Sequence, residues 1–182
     1  MGAAMTTNHA RLLALLSAIV AAAALRLVPH PPNFTPIAAM ALFGGATFGR
    51  RWLAFAAPLS AMLLSDAVLG FYSGMWVTYL AVALIVLVGW VALSRVSVLR
   101  VAGAALASSI LFFLVSNFGV WALSGMYPHN SAGLVACYVA AIPFFQNTVA
   151  GDLVYSALLF GGFALLEDAI PRIREGREPQ PA

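Results

Sequence analysis

The sequence predicts an all-α fold: a polytopic membrane helix bundle of six transmembrane helices, with one further helix that is re-entrant or lies on the outer surface. Three observations support this: the composition, the lengths of the apolar runs and the positions of the arginines. Hydrophobic residues make up 63% of the 182 residues and charged residues 8%, whereas soluble domains carry about 25% charged residues. We therefore expect a single transmembrane domain, 1–170, and a cytoplasmic tail, 171–182.

Six apolar runs approach the length of about 20 residues that a membrane-spanning helix needs. They cover 12–27, 34–48, 52–69, 76–93, 101–123 and 148–166. The first resembles a signal peptide but has no clear stop, so we expect an uncleaved span. A further apolar stretch, 132–145, has only about 14 residues, a length more typical of an interfacial or re-entrant segment. We expect Pro143 to end it.

The basic residues are all arginines, and they predict the orientation of the bundle. Eight of them lie before the first apolar run, in every second connection between runs, or after the last run: Arg11, Arg50, Arg51, Arg95, Arg100, Arg172, Arg174 and Arg177. Short arginine-rich loops stay in the cytoplasm, so both termini are expected on the cytoplasmic side of a bacterial inner membrane. The formal charge of +3 comes from these flanking residues. It therefore indicates contact with membrane lipid and not with nucleic acid.

Polar and aromatic side chains collect at the opposite, outer ends of the predicted spans. The outer connections (28–36, 70–75 and 124–147) contain no acidic residue, arginine or lysine. This pattern predicts an outward-facing chamber that is closed on the cytoplasmic side, in which rings stack on a ligand and polar groups orient it. Its expected substrate-binding residues are His30, Asn33, Asp66, Trp76, Asn117, Trp121, Tyr138, Asn147 and Asp152.

Two acidic residues lie within predicted spans, where an ionised side chain costs about 2.5–3.5 kcal/mol at the helix centre. Asp66 either forms a buried pair with Arg26, the arginine of the outer half, or binds a substrate or a proton. Asp152 either interacts with the dipole of a helix that Asn147 or Thr148 caps, or contacts a ligand. The sequence leaves both alternatives open for each acid.

The outer loop 29–36 contains four prolines, which fix their own φ angles and stiffen the chain. One interpretation is a turn in which Asn33 or Thr35 caps the second span. The other is the wall of a preorganised pocket, with His30 and Asn33 at its apex.

Cys137 is the single cysteine, and a lone cysteine of this kind is most often a small apolar filler. The alternative is a thiolate ligand to a metal-bearing substrate, with His30 and His129 as the other soft donors. Their spacing matches no metal motif, and no nucleophile–base pair or phosphate loop is visible. We therefore expect neither an enzyme nor a bound cofactor.

Small residues recur at helical spacing in the first two runs. Ala14, Ala18 and Ala22 lie four residues apart, which allows close helix approach. They either pack inside the chain or dock another membrane protein. Gly44 and Gly45, with the alanines around them, are predicted to form a helix-packing face.

Several segments together resemble a family of uncharacterised bacterial membrane proteins (DUF6580-like); they are 26–45, 65–66, 116–121, 137–145 and 147–152. That family in turn resembles the S components of energy-coupling factor (ECF) transporters. The resemblance implies a six-helix vitamin or metal binder whose outward pocket is roofed by loops. Small residues of its first helix would meet a transmembrane coupling subunit that works with ATPases. Solitary corrinoid transporters of this type bind cobalamin through a cysteine. Cys137 therefore leaves a corrinoid as one candidate substrate beside other vitamins or precursors.

The function expected from the sequence is a membrane-embedded binding and transport protein that captures a small nutrient from the outer side. A proton-coupled carrier or channel that uses Asp66 and Asp152 is the first alternative. It requires a polar path to the cytoplasmic side, whereas the inner halves of the spans are nearly all aliphatic. A membrane assembly subunit without a transport role is the second alternative.

Overall fold

A computed structural model describes residues 9–174, and these fold into helices joined by short connections. The elements are α1 (His9–Leu25), α2 (Ile37–Thr47), α3 (Arg51–Leu69), α4 (Met75–Ala92), α5 (Val98–Leu123), α6 (Ser131–Ser156), a π-helical turn (Ala157–Gly161), α7 (Gly162–Ala169) and a 3₁₀ turn (Pro171–Ile173). Within the described range, four helices are long and apolar enough to cross a membrane: α3, α4, α5 and the continuous rod Ser131–Ala169. The all-helical class is confirmed, while the count of six spans plus one is not.

The last rod corrects the prediction of a separate surface helix over 132–145. The helix begins at Ser131, where the side chain of Asn130 accepts a hydrogen bond of 2.8 Å from the Gly133 amide, and it passes through Pro143 without ending. Proline is tolerated inside apolar helices because neighbouring groups satisfy the freed backbone. At about 1.5 Å per residue, the 39 residues exceed the thickness of a bilayer core. Part of the rod therefore lies outside it, or the rod is steeply tilted.

Helix α2 is the centre of the bundle and contacts α1, α3, α4, α5 and α6. Its residues 37–45 are all buried. A helix that is apolar on every side lies in a protein core or in a membrane, and α2 lies in the core because other helices surround it. The helix is shorter than the predicted second span, 34–48, because Pro36 precedes its first turn.

Glycine lets α2 and α4 approach closely. A Cβ atom added at Gly45 would overlap the Val86 carbonyl, and one added at Gly89 would overlap the Leu42 carbonyl. The two helices therefore meet backbone to backbone, as small residues allow in apolar bundles. The predicted packing role of Gly44 and Gly45 agrees with this contact, because Gly44 also packs closely on α3.

Large apolar side chains cover the outside of the bundle, among them Leu64, Val68, Val139 and Leu165. The four tryptophans lie at helix ends, which is where membrane proteins place aromatic rings at the bilayer interface. This surface is the one expected of a protein that lies in lipid. The described helices therefore agree with a membrane location.

Contacts place Arg11, Arg51 and Arg174 at one end of the bundle, here named the arginine end. Arg11, at the start of α1, pairs with Glu167 of α7 and donates to the Ile173 carbonyl over 2.9 Å. Arg51, at the start of α3, lies 4.2 Å from the ring of Trp90 at the end of α4. The opposite end, named the open end, carries the connections between α1 and α2, between α3 and α4, and between α5 and α6.

Aromatic rings fill the core near the arginine end. Phe43 of α2 packs edge-on against Phe160 and Phe163, with ring centroids 5.2 and 5.4 Å apart. Arg11 lies over the outer side of Phe163. These three buried rings close the bundle on that side. The start of the predicted tail also packs here, since Ile173 is buried, whereas residues 175–182 lie outside the described range.

Candidate functional site

A cavity of about 340 Å³ opens among the α1–α2 loop, α4, α5 and α6. It combines polar side chains with phenylalanine rings, and its lining is Asn33, Thr35, Ile37, Ala38, Tyr72, Thr78, Phe112, Phe113, Ser116, Asn117, Val120, Ala141, Phe144, Thr148 and Asp152. A second cavity between α4 and α5 shares Tyr72, Thr78, Ser116 and Val120 with it and extends to Ser73 and Ser124. The polar space is therefore continuous with the connections at the open end.

The α1–α2 loop forms one wall through a tight turn. The Phe34 amide donates to the Pro31 carbonyl over 3.0 Å, and Asn33 has a positive φ of 62°. Proline followed by asparagine at the two central positions is the pattern of a type II turn. The prediction that Asn33 or Thr35 caps α2 is wrong, because Pro36 occupies the cap position without a side-chain hydrogen bond. Both side chains line the cavity instead.

Three contacts fasten this loop to α6. Asn147 Nδ2 donates to the Pro32 carbonyl over 3.0 Å. The ring of Phe34 lies 5.4 Å from that of Tyr155. At Gly151 the backbone of α6 comes so close to the loop that an added Cβ would lie 3.2 Å from Phe34 Cα. Asn147 was expected to bind substrate, whereas in the structure it holds the α1–α2 loop, which forms this wall of the cavity.

Asp152 lies at the inner side of the cavity with 2% of its surface exposed. It is far from the start of its helix, so the predicted interaction with a helix dipole, capped by Asn147 or Thr148, is wrong. The hydrogen bond that it receives within the described residues comes from Ser109 Oγ, 2.6 Å from Oδ2. A buried carboxylate with so little compensation is costly in a membrane, which makes Asp152 the most informative residue of the site.

Asp66 has the opposite environment. Arg26 Nη2 lies 2.7 Å from its Oδ1, and Tyr79 donates to its Oδ2 over 2.8 Å. Arg26 also donates to Ser65 Oγ and to the Met62 carbonyl. Both carboxylate oxygens are therefore satisfied by the chain itself. The predicted pairing of Asp66 with Arg26 is present, and Asp66 does not line the cavity.

Four other predicted site residues lie apart from the cavity. Trp76 and Tyr138 line an apolar groove on the surface of the bundle, and Tyr138 donates to the Leu114 carbonyl over 2.7 Å. Trp121 Nε1 donates to the Pro128 carbonyl over 3.0 Å. His30 Nδ1 lies 3.0 Å from the carbonyl of the next residue. The structure therefore brings together Asn33, Asn117 and Asp152 of the predicted set.

Cys137 is buried between α5 and α6, with Sγ 3.4 Å from the Asn117 carbonyl. Among the described residues there is no group of three or more histidine, cysteine, aspartate or glutamate side chains that could hold a metal ion. The environment of Cys137 is that of a small apolar filler between two helices.

The small-residue stripe of α1 faces inward. Ala22 is buried, while Ala14 and Ala18 are partly buried and pack against the core. The structure thus uses this stripe within the chain, whereas Leu13 and Val20 point outward.

A family model matches residues 6–173. The chain belongs to DUF6580, a family of unknown function. No curated protein and no solved structure matches it. Membership of DUF6580 thus agrees with the residues that carried the family resemblance, and the assignment of a function depends on the geometry of the site.

Sequence reasoning missed most of the cavity of this DUF6580 protein. The missed lining residues with polar groups or rings are Thr35, Tyr72, Thr78, Phe112, Phe113, Ser116, Phe144 and Thr148. One signal was present: Thr148 and Asp152 lie four residues apart on an otherwise apolar helix, as do Phe112 and Ser116. Side chains with that spacing share one helix face.

Proposed function

We propose that this protein is a membrane-embedded binding protein of the S-component type. It captures a small nutrient, such as a vitamin or a precursor, from the outer side of the bacterial inner membrane. The observation that carries the proposal is the cavity of about 340 Å³ in which polar groups converge beside three phenylalanine rings. Ligand pockets have this mixed lining and volumes of roughly 300–1,000 Å³.

The direction of capture follows from the arginines. Short arginine-rich connections remain in the cytoplasm, which would place the arginine end inside and the open end outside. The cavity reaches the open end beside Ser73 and Ser124. Toward the arginine end, the packed rings of Phe43, Phe160 and Phe163 block it. These features support capture from the outer side.

The packing counts against the proton-coupled carrier. Asp66 is engaged by Arg26 and Tyr79 and does not line the cavity. The rings of Phe43, Phe160 and Phe163 pack together toward the arginine end, and these apolar side chains offer no polar route.

Transport by a binding protein of this size needs movement against a partner or within the bundle. An ECF-type transmembrane coupling subunit with its ATPases is the partner that the S-component likeness implies. The outward face of α1 around Leu13 and Val20 is apolar and exposed, which suits helix contact in lipid. A solitary transporter is the other form of the same proposal.

Native mass spectrometry of the protein, purified gently from its own host, tests the proposal. We expect a retained small molecule that is lost in Asn117→Ala. The matched control is Ser60→Ala, because Ser60 is exposed on α3 and lies outside the cavity. Copurified coupling subunits would identify an ECF module. Protein partners without a small molecule would favour the assembly subunit, and a bare monomer would contradict the binding function.

A further inference from the structure

The walls of the cavity offer more hydrogen-bond acceptors than donors. Ser116 and Thr148 each have one hydroxyl proton, and each donates it to the carbonyl four residues earlier, over 2.7 and 3.3 Å. Asn117 Nδ2 donates in the same way over 2.8 Å. Backbone carbonyls only accept, so the direction of all three bonds is fixed. The lone pairs of the Ser116, Asn117 and Thr148 side-chain oxygens remain for a ligand, together with the second N–H of Asn117.

The α3–α4 connection adds to this bias. The hydroxyl groups of Tyr72 and Thr78 form a hydrogen bond of 2.9 Å, and both residues line the cavity. Either hydroxyl can donate in this pair, so one proton and the lone pairs of two oxygens remain for a ligand. The other lining groups that can still donate are Asn33, Thr35 and the second N–H of Asn117.

Asp152 is the strongest acceptor of the set. Ser109 has a single hydroxyl proton but two acceptors in reach, Asp152 Oδ2 at 2.6 Å and the Ala105 carbonyl at 3.0 Å. The carboxylate thus receives at most one hydrogen bond from the described chain. Asp66 receives two from charged and phenolic donors, which is what a buried carboxylate requires.

The described lining contains no arginine, lysine or histidine. The positive charge that would compensate Asp152 is therefore not supplied by the walls of the cavity. Phe112, Phe113 and Phe144 also line the cavity. The face of an aromatic ring attracts cations, and it also stacks on other flat rings. An anionic ligand would meet acceptor oxygens and a carboxylate.

We infer that the ligand is a small organic cation: a protonated amine or amidine nitrogen binds Asp152, and a flat ring packs among the phenylalanines. This inference rests on the proposed binding function and names the chemical class of its ligand. The amine donates to the free carboxylate oxygen and to the acceptors of Asn117 and Thr148. Neutral and anionic nutrients are thereby selected against.

Isothermal titration in lipid nanodiscs tests the inference with probes of matched size: benzamidine and benzylamine as cations, benzyl alcohol as the neutral probe and benzoate as the anion. We expect the two cations to bind more tightly than the other two probes. Asp152→Asn should lower the affinity for the two cations by about 10- to 100-fold, the range for a hydrogen bond to a charged group. Asp152→Glu should retain part of the affinity, and Ser60→Ala should change nothing.

The two proposals fail in different ways. Preferential binding of benzoate or benzyl alcohol, or a retained natural ligand without a basic nitrogen, would overturn the cationic class and leave the binding function standing. Equal affinity of the cations for Asp152→Asn and the parent protein would also overturn it. If no probe binds and no molecule is retained, both proposals are wrong. The melting temperature of each variant shows that the protein compared is folded.

Discussion

Arg26, directly after α1, donates to Asp66 near the end of α3 over 2.7 Å, and both side chains are largely buried. Tyr79 of α4 holds the second carboxylate oxygen, so one ion pair joins three helices at the open end. The sequence offered this pairing as one of two alternatives for Asp66, because Arg26 lies apart from the eight other arginines. The two buried acids of the bundle therefore differ in their partners: Asp66 is paired with an arginine, and Asp152 has no comparable partner among the described residues.

Asp66→Asn should destabilise the fold by roughly 3–5 kcal/mol, because it leaves the guanidinium of Arg26 buried without its counter-charge. Thermal unfolding in detergent measures this. Asp168→Asn is the matched control, since Asp168 pairs with Arg174 on the surface and exposed pairs contribute less than about 1 kcal/mol. Equal losses in the two variants would show that the Arg26 pair has no special weight.

Asp152→Asn should leave the melting temperature unchanged or raise it. The substitution removes a buried charge that receives one hydrogen bond from Ser109, and it keeps the shape of the side chain. Differential scanning calorimetry of the ligand-free protein gives the comparison with Asp66→Asn. A loss as large as that of Asp66→Asn would mean that Asp152 has a structural partner and is not held for a ligand.

Gly45→Ala and Gly89→Ala should each prevent α2 and α4 from packing, because the added methyl group would overlap backbone carbonyls that cannot move away. Overpacking costs about 1–3 kcal/mol and occasionally more, and contact with backbone belongs at the upper end. Size-exclusion chromatography and thermal unfolding report the result. Gly103→Ala is the control, since nothing lies within 4 Å of its added Cβ, and it should match the parent protein.

Asn147→Ala should loosen the α1–α2 loop, which forms one wall of the cavity. It removes the hydrogen bond to the Pro32 carbonyl, which is worth about 0.5–1.5 kcal/mol. Exchange of the backbone amide hydrogens of residues 33–35 should therefore rise by a few-fold while the exchange of α5 stays constant. Asn130→Ala is a comparison at a different site, since Asn130 caps the start of α6. Unchanged exchange in the loop would show that the Phe34–Tyr155 contact alone holds it.

Cysteine labelling tests the orientation. In a Cys137→Ala background, Ser73→Cys introduces a thiol at the open end and Ser94→Cys one at the arginine end; both positions are exposed. A membrane-impermeant maleimide should label Ser73→Cys in intact cells and Ser94→Cys only after permeabilisation. The reverse pattern would place the cavity on the cytoplasmic side and contradict capture from outside.

The sequence predicted helices best where charged residues and glycine mark their ends. The bounds of α3 and α4 differ from the predicted spans by one residue, because Arg51 begins α3, Gly70 follows it and Gly74 precedes α4. It failed at 131–169, where the short length of the apolar stretch 132–145 and Pro143 suggested a break. The helix passes through Pro143, and Asn147 within it uses its amide on the neighbouring loop.

The site was harder to predict than the fold for a related reason. Large aromatic residues such as Trp76 and Tyr138 were expected in a pocket, but rings at helix ends are equally suited to the membrane interface. Small hydroxyl residues such as Ser116 and Thr148 carry little sequence signal, because each can bond to its own helix backbone. Only the relative rotation of α5 and α6 shows which of them face a cavity.

The central position of α2 has a consequence for how the protein is made. The helix has 11 residues, about 17 Å at 1.5 Å per residue, which is too short to cross a bilayer core of about 30 Å. Its contacts extend to α6 and the π-helical turn, which are synthesised more than 80 residues after α2. Native packing around α2, including the cavity wall at Ile37 and Ala38, is therefore completed only after α6 and this turn have been synthesised.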